Sequence, residues 1–477
     1  MSNPLAAAAL RRDEAAVEAR SAGLTKDLGL TDLVLTQVLF IVGLPWVGVA
    51  AKLGPSHVVF WLVAMVLFYV PSAVVVMHLT RAMPLEGGLH QWAKLAFNEL
   101  TGFLVAWNLW LFAILNTSET GLQVTQYLGY VIGPGGAWLT DSKWFITLVS
   151  AVTIATLVLI TVVGLSVGKW VHKAGGLLML ATFAALLLLP WLNVAHAGRG
   201  SAAGYHPLTT ARPVVSLMSL NLLGKMGFGA LGGFEYVAIH AGECRNPVRT
   251  IGWSVAVAAP IIAVMFILGT SSMLALVPLD RIDLIAPIPQ ALTEGFRALG
   301  SATSVAPVAI MALLSIRVAQ ASVMFAGNTR LPMVAGWDGL LPDWFTRAHS
   351  RYRTPVNSIV FVGAATLALS IVGLIGVGKQ EAFQLLWNAS SIFYALTYLV
   401  MFAIPLIGLR GRAAAPIWLK TAALSGFLMT LLFVGLSILP IVQVESRLLF
   451  ALKIGSLIVL TNLAGLAIFI GRRQLLR

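Results

Sequence analysis

The sequence predicts an all-α integral membrane protein of twelve transmembrane helices, and two observations carry that reading. Hydrophobic residues make up 58% of the 477 and charged residues only 10%, against roughly 25% charged in an ordinary soluble domain. The apolar residues fall in twelve continuous runs, near 31–50, 57–80, 99–132, 143–165, 174–195, 213–241, 252–278, 302–327, 356–377, 382–408, 417–441 and 448–471. Each has about the length that crosses a bilayer as a helix; barrel strands would alternate and be about half as long. Twelve such spans with short loops use up nearly the whole chain, which leaves no room for a sizeable extramembrane catalytic module.

Charge sets the orientation. Lys and Arg number 31 against 18 Asp and Glu, a net +13, but the basic residues are scattered between apolar runs, which reads as topology and contact with membrane lipid and excludes a nucleic-acid footprint. With loops assigned alternately, twenty of the 31 fall on the side of the N-terminus and eight on the other. The remaining three, Lys225, Arg317 and Lys453, lie inside apolar segments. An even number of spans and this asymmetry place both termini in the cytoplasm and the chain in the cell membrane, multi-pass. Residues 1–30 are polar and read as a retained cytoplasmic tail. Cys244 is the single cysteine, so an intrachain disulfide and a cysteine-built metal site are excluded.

The first and sixth spans are interrupted by glycine and proline, at Ile41-Val42-Gly43-Leu44-Pro45-Trp46-Val47-Gly48 and at Gly227-Phe228-Gly229-Ala230-Leu231-Gly232-Gly233. Two interrupted helices five spans apart are the sequence pointer to an inverted-repeat transporter whose binding site lies where the interruptions meet. The alternative is that these glycines only let helices pack closely. An unwound stretch in the bilayer leaves N–H and C=O groups that must find partners, so it is expected to line a cavity. The half-helix starting at Pro45 to Gly48 would offer N–H groups and a positive dipole end to a carboxylate. Carbonyls around Ile41, Val42, Phe228 and Gly229 would suit an ammonium group. Such a backbone site fits the zwitterionic part of an amino acid, and Trp46, Phe228 and Trp110 are candidate aromatic gates.

A charge near the bilayer centre costs on the order of 2.5–3.5 kcal/mol on insertion scales, so ionisable residues within spans are functional candidates. They are Glu235, just past the Gly232-Gly233 interruption, with Glu119, Lys225 and Arg317 as a coupling or charge network in which Arg317 is expected to pair with Glu119 or Glu235. Their charges sum to zero and leave the sign of the substrate open. No His-Glu-x-x-His, Gly-x-Ser-x-Gly or phosphate loop occurs, and the eight histidines show no metal-ligand spacing. No catalytic residue, metal or cofactor is expected.

Three further stretches carry a family resemblance. Gly229-Ala-Leu-Gly-Gly-Phe-Glu-Tyr-Val-Ala-Ile-His-Ala-Gly-Glu-Cys-Arg-Asn-Pro-Val-Arg249, Pro84-Leu-Glu-Gly87-Gly88 with Trp92, Gly102 and Trp107 downstream, and Arg330-Leu-Pro-Met-Val-Ala-Gly-Trp-Asp338-Gly339-Leu-Leu-Pro342 followed by Thr354-Pro355 resemble, in order and spacing, the amino acid, polyamine and organocation superfamily of transporters. The resemblance covers about residues 27–470. It implies a leucine-transporter-like arrangement, a 5+5 inverted repeat (31–195 and 213–408) with helices 11 and 12 (417–471) added, and alternating access for amino acids or amines.

Two departures accompany it. Gly43-Leu44-Pro45-Trp46 stands where members have Gly-Ser-Gly-like residues, and Met179 stands near the fifth-helix lysine of proton-coupled members, with Lys173 too early. Glu235 falls where exchangers of cationic substrates have a glutamate, which leans the expectation to cationic amino acids, with polyamines as the alternative and Glu119 as their second anionic contact. Trp110, Ile114 and Thr117 on the third helix are expected to complete the site with Ala230, Gly232 and Gly233, and Trp387, Asn388 and Ser391 on the tenth. A proton or a counter-substrate is an open partner, and no motif requires a second subunit. The rival of another class is a non-transporting receptor or structural membrane protein, against which the lack of room for an output domain speaks.

Overall fold

The computed structural model describes residues 28–83, 88–163, 165–197, 211–244, 246–337, 342–347, 349–352, 354–375, 378–407, 414–444 and 446–475. Residues 1–27 of the polar tail, Pro84 to Gly87, Arg245 and Asp338 to Leu341, on which parts of the sequence argument rest, lie outside them.

Within the described residues the chain is helical from end to end. Ten helices are long and apolar enough to cross a membrane, from Gly54–Ala82 to Arg447–Gly471, or eleven if the pair Leu30–Ile41 (α1) and Leu44–Ala51 (α2), bent by 47°, is one span. Those that position the site are Glu99–Ser118 (α3), Thr120–Ile132 (α4), Lys143–Val163 (α5), Pro247–Leu276 (α6), Val305–Trp337 (α7), Lys379–Ile407 (α8) and Ile417–Ser437 (α9). The sixth apolar run is absent from the ten because it forms no single α-helix. It is α-helical over Leu217–Gly224, opens into a π turn over Lys225–Ala230, and continues as a 3-10 helix over Phe234–Glu243.

Local chemistry explains where these pieces begin and end. Ser216 caps the Leu217 helix by accepting from the Ser219 N–H at 3.1 Å. Asn246 accepts from the Arg249 N–H at 3.2 Å and starts α6 with Pro247 in its first turn, where a missing N–H costs nothing. In the first span Pro45 sits in the first turn of α2 for the same reason.

The core is formed by α8 packed between α3 and α9, by α1 against α6, and by α4 against α5. Outward faces carry exposed Trp144, Trp170, Trp191, Trp253 and Trp418 among exposed Leu, Ile and Val, the surface of a protein solvated by lipid. Where α4 meets α5 the backbones nearly touch: a Cβ on Gly121 would lie 1.9 Å from Ser150 Oγ and 2.5 Å from its Cα. Gly435 in α9 has nothing within 4 Å of that position among the described residues. Gly121→Ala is therefore expected to destabilise the protein by about 1–3 kcal/mol, with Gly435→Ala near neutral, measured as thermal unfolding in detergent.

Candidate functional site

The first interruption spans Val42 and Gly43, between α1 and α2. Its carbonyls do not stay bare. Gln320 of α7 donates Nε2 to Leu39 O at 2.8 Å and to Val42 O at 2.9 Å, and Ile41 O accepts from the Gly43 N–H at 2.8 Å. In the second, Phe228 O accepts from the Gly232 N–H at 3.0 Å, and the Gly233 N–H donates to the Tyr398 hydroxyl at 2.6 Å. Gly233 has φ +136°, a conformation open to glycine and strained for other residues. The Tyr398 and Tyr394 hydroxyls of α8 both donate to the Glu235 carboxylate.

The two interruptions touch. A Cβ on Gly229 would lie 2.5 Å from Cη2 of Trp46, and one on Gly233 would lie 2.8 Å from Ile41 Cγ1 and from Phe40 Cδ1. Close packing and main-chain opening thus coexist at these glycines. Beside the contact is a cavity of about 70 Å³, room for on the order of five waters. Ile41, Gly43, Leu44, Pro45 and Trp46 line one wall, Phe228, Gly229 and Gly232 a second, and Trp387, Ser391 and Tyr394 a third. Trp46 meets Trp387 edge-on at 5.1 Å, and Phe112 stacks on Tyr394 at 4.2 Å.

Of the other sequence candidates Arg317 also lines the cavity, and most of the rest lie elsewhere. Val42, Val47 and Ala230 are buried in the packed core, and Gly48 faces Pro287, with 2.7 Å from its would-be Cβ to Pro287 Cβ. Trp110 stacks on Phe361 and packs with Ile114, Leu157 and Phe325, and the Thr117 hydroxyl bonds Ala113 O at 2.7 Å. The face of α3 that lines the cavity is that of Phe112 and Asn116, continued by Gln123 in α4. Residues 110 and 114 lie about 200° around the helix from 112, so Trp110 and Ile114 are on the side of α3 turned away from this cavity. Asn388 turns to Lys225, whose Nζ donates to its Oδ1 at 2.8 Å. Phe228 is a buried ring packed on Phe68, Phe433, Tyr394 and Tyr398. Glu235 is 2% and Glu119 0% exposed, and neither lines the cavity. Arg317 does; its Nη2 meets Glu119 Oε1 at 2.5 Å and Thr120 Oγ1 at 3.0 Å.

Phe40, Phe112, Asn116, Gln123, Gln320, Met324 and Tyr394 line the cavity without having been singled out. A signal existed for some. Gln320 and Met324 follow Arg317 at helical spacing, and Tyr394 follows Trp387 and Ser391, so extending each face would have found them. On α3 the signal is Asn116, a polar residue one helical turn beyond Phe112 and on the same face.

Residues 28–461 match the family described as amino acid permease. This chain belongs to that family. It is 26% identical over 394 residues to an uncharacterized transporter of Legionella pneumophila, covering 79% of this chain and 80% of the relative. It is 25% identical over 366 residues to cationic amino acid transporter 6, chloroplastic, of Arabidopsis thaliana, covering 70% of this chain but 59% of that longer relative. It is 22% identical over 356 residues to a probable agmatine/putrescine antiporter of Lactococcus lactis, covering 74% and 73%. The permease is thus a multi-pass membrane transporter.

The main-chain contacts of Gln320 and Tyr398 make these side chains part of the framework. Gln320→Leu strands two buried carbonyls and Tyr398→Phe strands a buried N–H. Each is expected to lower stability by about 1–3 kcal/mol, read as a lower unfolding temperature in detergent.

Proposed function

We propose that this permease is a secondary active transporter of amino acids that works by alternating access around the cavity between the two interruptions. The observation that carries the reading is the meeting of α1–α2 and the Phe228 to Gly233 stretch at one small cavity. The N-terminal end of α2 supplies dipole and N–H groups for an α-carboxylate. The carbonyls of Ile41 and Phe228, both of which line the cavity, each have a second lone pair for an α-ammonium group. Trp46 against Trp387 and Phe112 against Tyr394 are the proposed aromatic closures.

With the bent pair and the Leu217 to Glu243 segment each taken as one span, the ten long helices become twelve, supporting the inverted repeats 31–195 and 213–408 followed by two more helices. The excess of basic residues on alternate loops supports a cell-membrane protein with cytoplasmic termini. Polyamine transport is the second reading, favoured by the agmatine and putrescine in one relative's name. It needs a second anionic contact, and Glu119 Oε2, buried and unpartnered among the described residues, is the available one.

Glu235 is the proposed coupling carboxylate, because Tyr394 links it by a hydrogen bond to the cavity it does not itself line. Counterflow of labelled arginine, putrescine, leucine and glutamate in proteoliposomes tests the reading; failure of every amino acid and amine to exchange or bind removes it. Glu235→Gln is expected to weaken transport or change its pH dependence while leaving the protein inserted, and an unchanged rate from pH 5 to 8 takes that residue out of the mechanism.

A further inference from the structure

The four charges buried in the spans are sorted by the fold in a way their sum conceals. Lys225 is 1% exposed and held by Asn388. Glu235 is held by two tyrosine hydroxyls. Glu119 lies behind the cavity wall, with one oxygen on Arg317. Among the described residues that line the cavity, Arg317 is the one that carries charge. Its Nη2 is engaged by Glu119 and Thr120, but its Nε is buried with no partner among the described residues. Beside it are more buried groups in the same condition, both polar atoms of the Gln123 amide and the Tyr127 hydroxyl. Arg317 and Gln123, in helices α7 and α4, line the same cavity as Gly43.

Buried polar atoms without partners are costly, and a cluster of them on a cavity wall marks where a ligand or water completes the bonding. Of these groups Arg317 and Gln123 belong to the cavity lining, offering the donors Arg317 Nε and Gln123 Nε2 and the acceptor Gln123 Oε1, while the Tyr127 hydroxyl and Glu119 Oε2 lie behind it. Glu119 neutralises the pair as a whole, but the guanidinium is the member that reaches the cavity lining, where it offers donors to a carboxylate or carbonyl oxygen and no acceptor to an ammonium or second guanidinium.

We infer that Arg317 is a specificity-determining residue which makes the cavity select amino acids whose side chains end in an oxygen acceptor, a carboxamide or carboxylate, and exclude cationic ones. The inference rests on the transport reading above and names its substrate class. It also sets this chain apart from relatives named for cationic amino acids and revises the cationic lean drawn from Glu235, whose carboxylate is turned to Tyr394 and Tyr398. A wall that offers a cation no anionic partner needs no lid or cofactor to discriminate.

The test is competition by unlabelled glutamine, glutamate, leucine, lysine and arginine against counterflow of the best-transported label, with ligand-induced thermal shift of the full-length protein in detergent as a second readout. Glutamine or glutamate is expected to compete at least tenfold better than lysine, arginine and leucine. Lysine or arginine equal to or better than both acceptor-bearing amino acids overturns the inference while leaving the transport reading intact, and so does leucine at their level. Silence from every amino acid in both readouts overturns the transport reading and the inference with it.

Arg317→Gln alone strands Glu119 in the core, so the informative variant is the double change Glu119→Gln with Arg317→Gln, which keeps a neutral hydrogen-bonding pair. The double variant is expected to lose the tenfold preference over lysine. A preference that survives in it overturns the role assigned to Arg317.

Discussion

A main chain that leaves the helix inside a bilayer must find new partners for its polar groups, and the architecture of this permease follows from how it does so. At the first interruption one side chain, Gln320, reaches two carbonyls of α1 and the turn beyond it. At the second, Tyr398 accepts the Gly233 N–H and donates to Glu235. Both supports come from long helices, α7 and α8, that are themselves unbroken between residues 305 and 337 and between 379 and 407. Each unsatisfied group would cost several kcal/mol in hydrocarbon, so the two long helices are the scaffold that makes two irregular segments tolerable. The same arrangement places both segments beside a cavity.

The glycines do two jobs at once. Gly229 and Gly233 permit irregular backbone, and they also bring Trp46, Phe40 and Ile41 against the second interruption. A methyl group at either position would have to displace a side chain, the Trp46 ring at Gly229 or Phe40 and Ile41 at Gly233. Close packing is thus the means by which the two segments come to share one cavity, and a larger residue would separate them.

The buried charges follow a similar economy of placement. Glu119 and Arg317 are nearly 200 residues apart in the chain but are paired in the core, where an unpaired member would be strongly destabilising. Thr120 joins them, and α3 continues into α4 through Glu119 with the Gln123 N–H bonded to Glu119 O at 3.2 Å. The pair therefore ties the third span to α7 beside the cavity. Lys225 and Glu235 flank the second interruption, each turned to α8 and away from the cavity lining.

Much of this was legible in the sequence. Long apolar runs determine membrane-crossing helices because backbone groups in hydrocarbon have no other partners, and glycine with proline at 43–48 and clustered glycine at 227–233 mark where the helices do not run straight. The pairing of Arg317 with a carboxylate followed from cost alone, although which carboxylate did not. Tertiary structure decided the rest. Which side of α3 meets the cavity depends on how that helix is rotated against α8, and the apolar residues Trp110, Phe112 and Ile114 carry no mark of that rotation; Asn116 is the one polar lining residue that α3 contributes. That Gln320 serves the main chain, that Asn388 serves Lys225, and that Arg317 rather than Glu235 faces the cavity are contacts between helices far apart in the chain, and such contacts are fixed only when the helices pack.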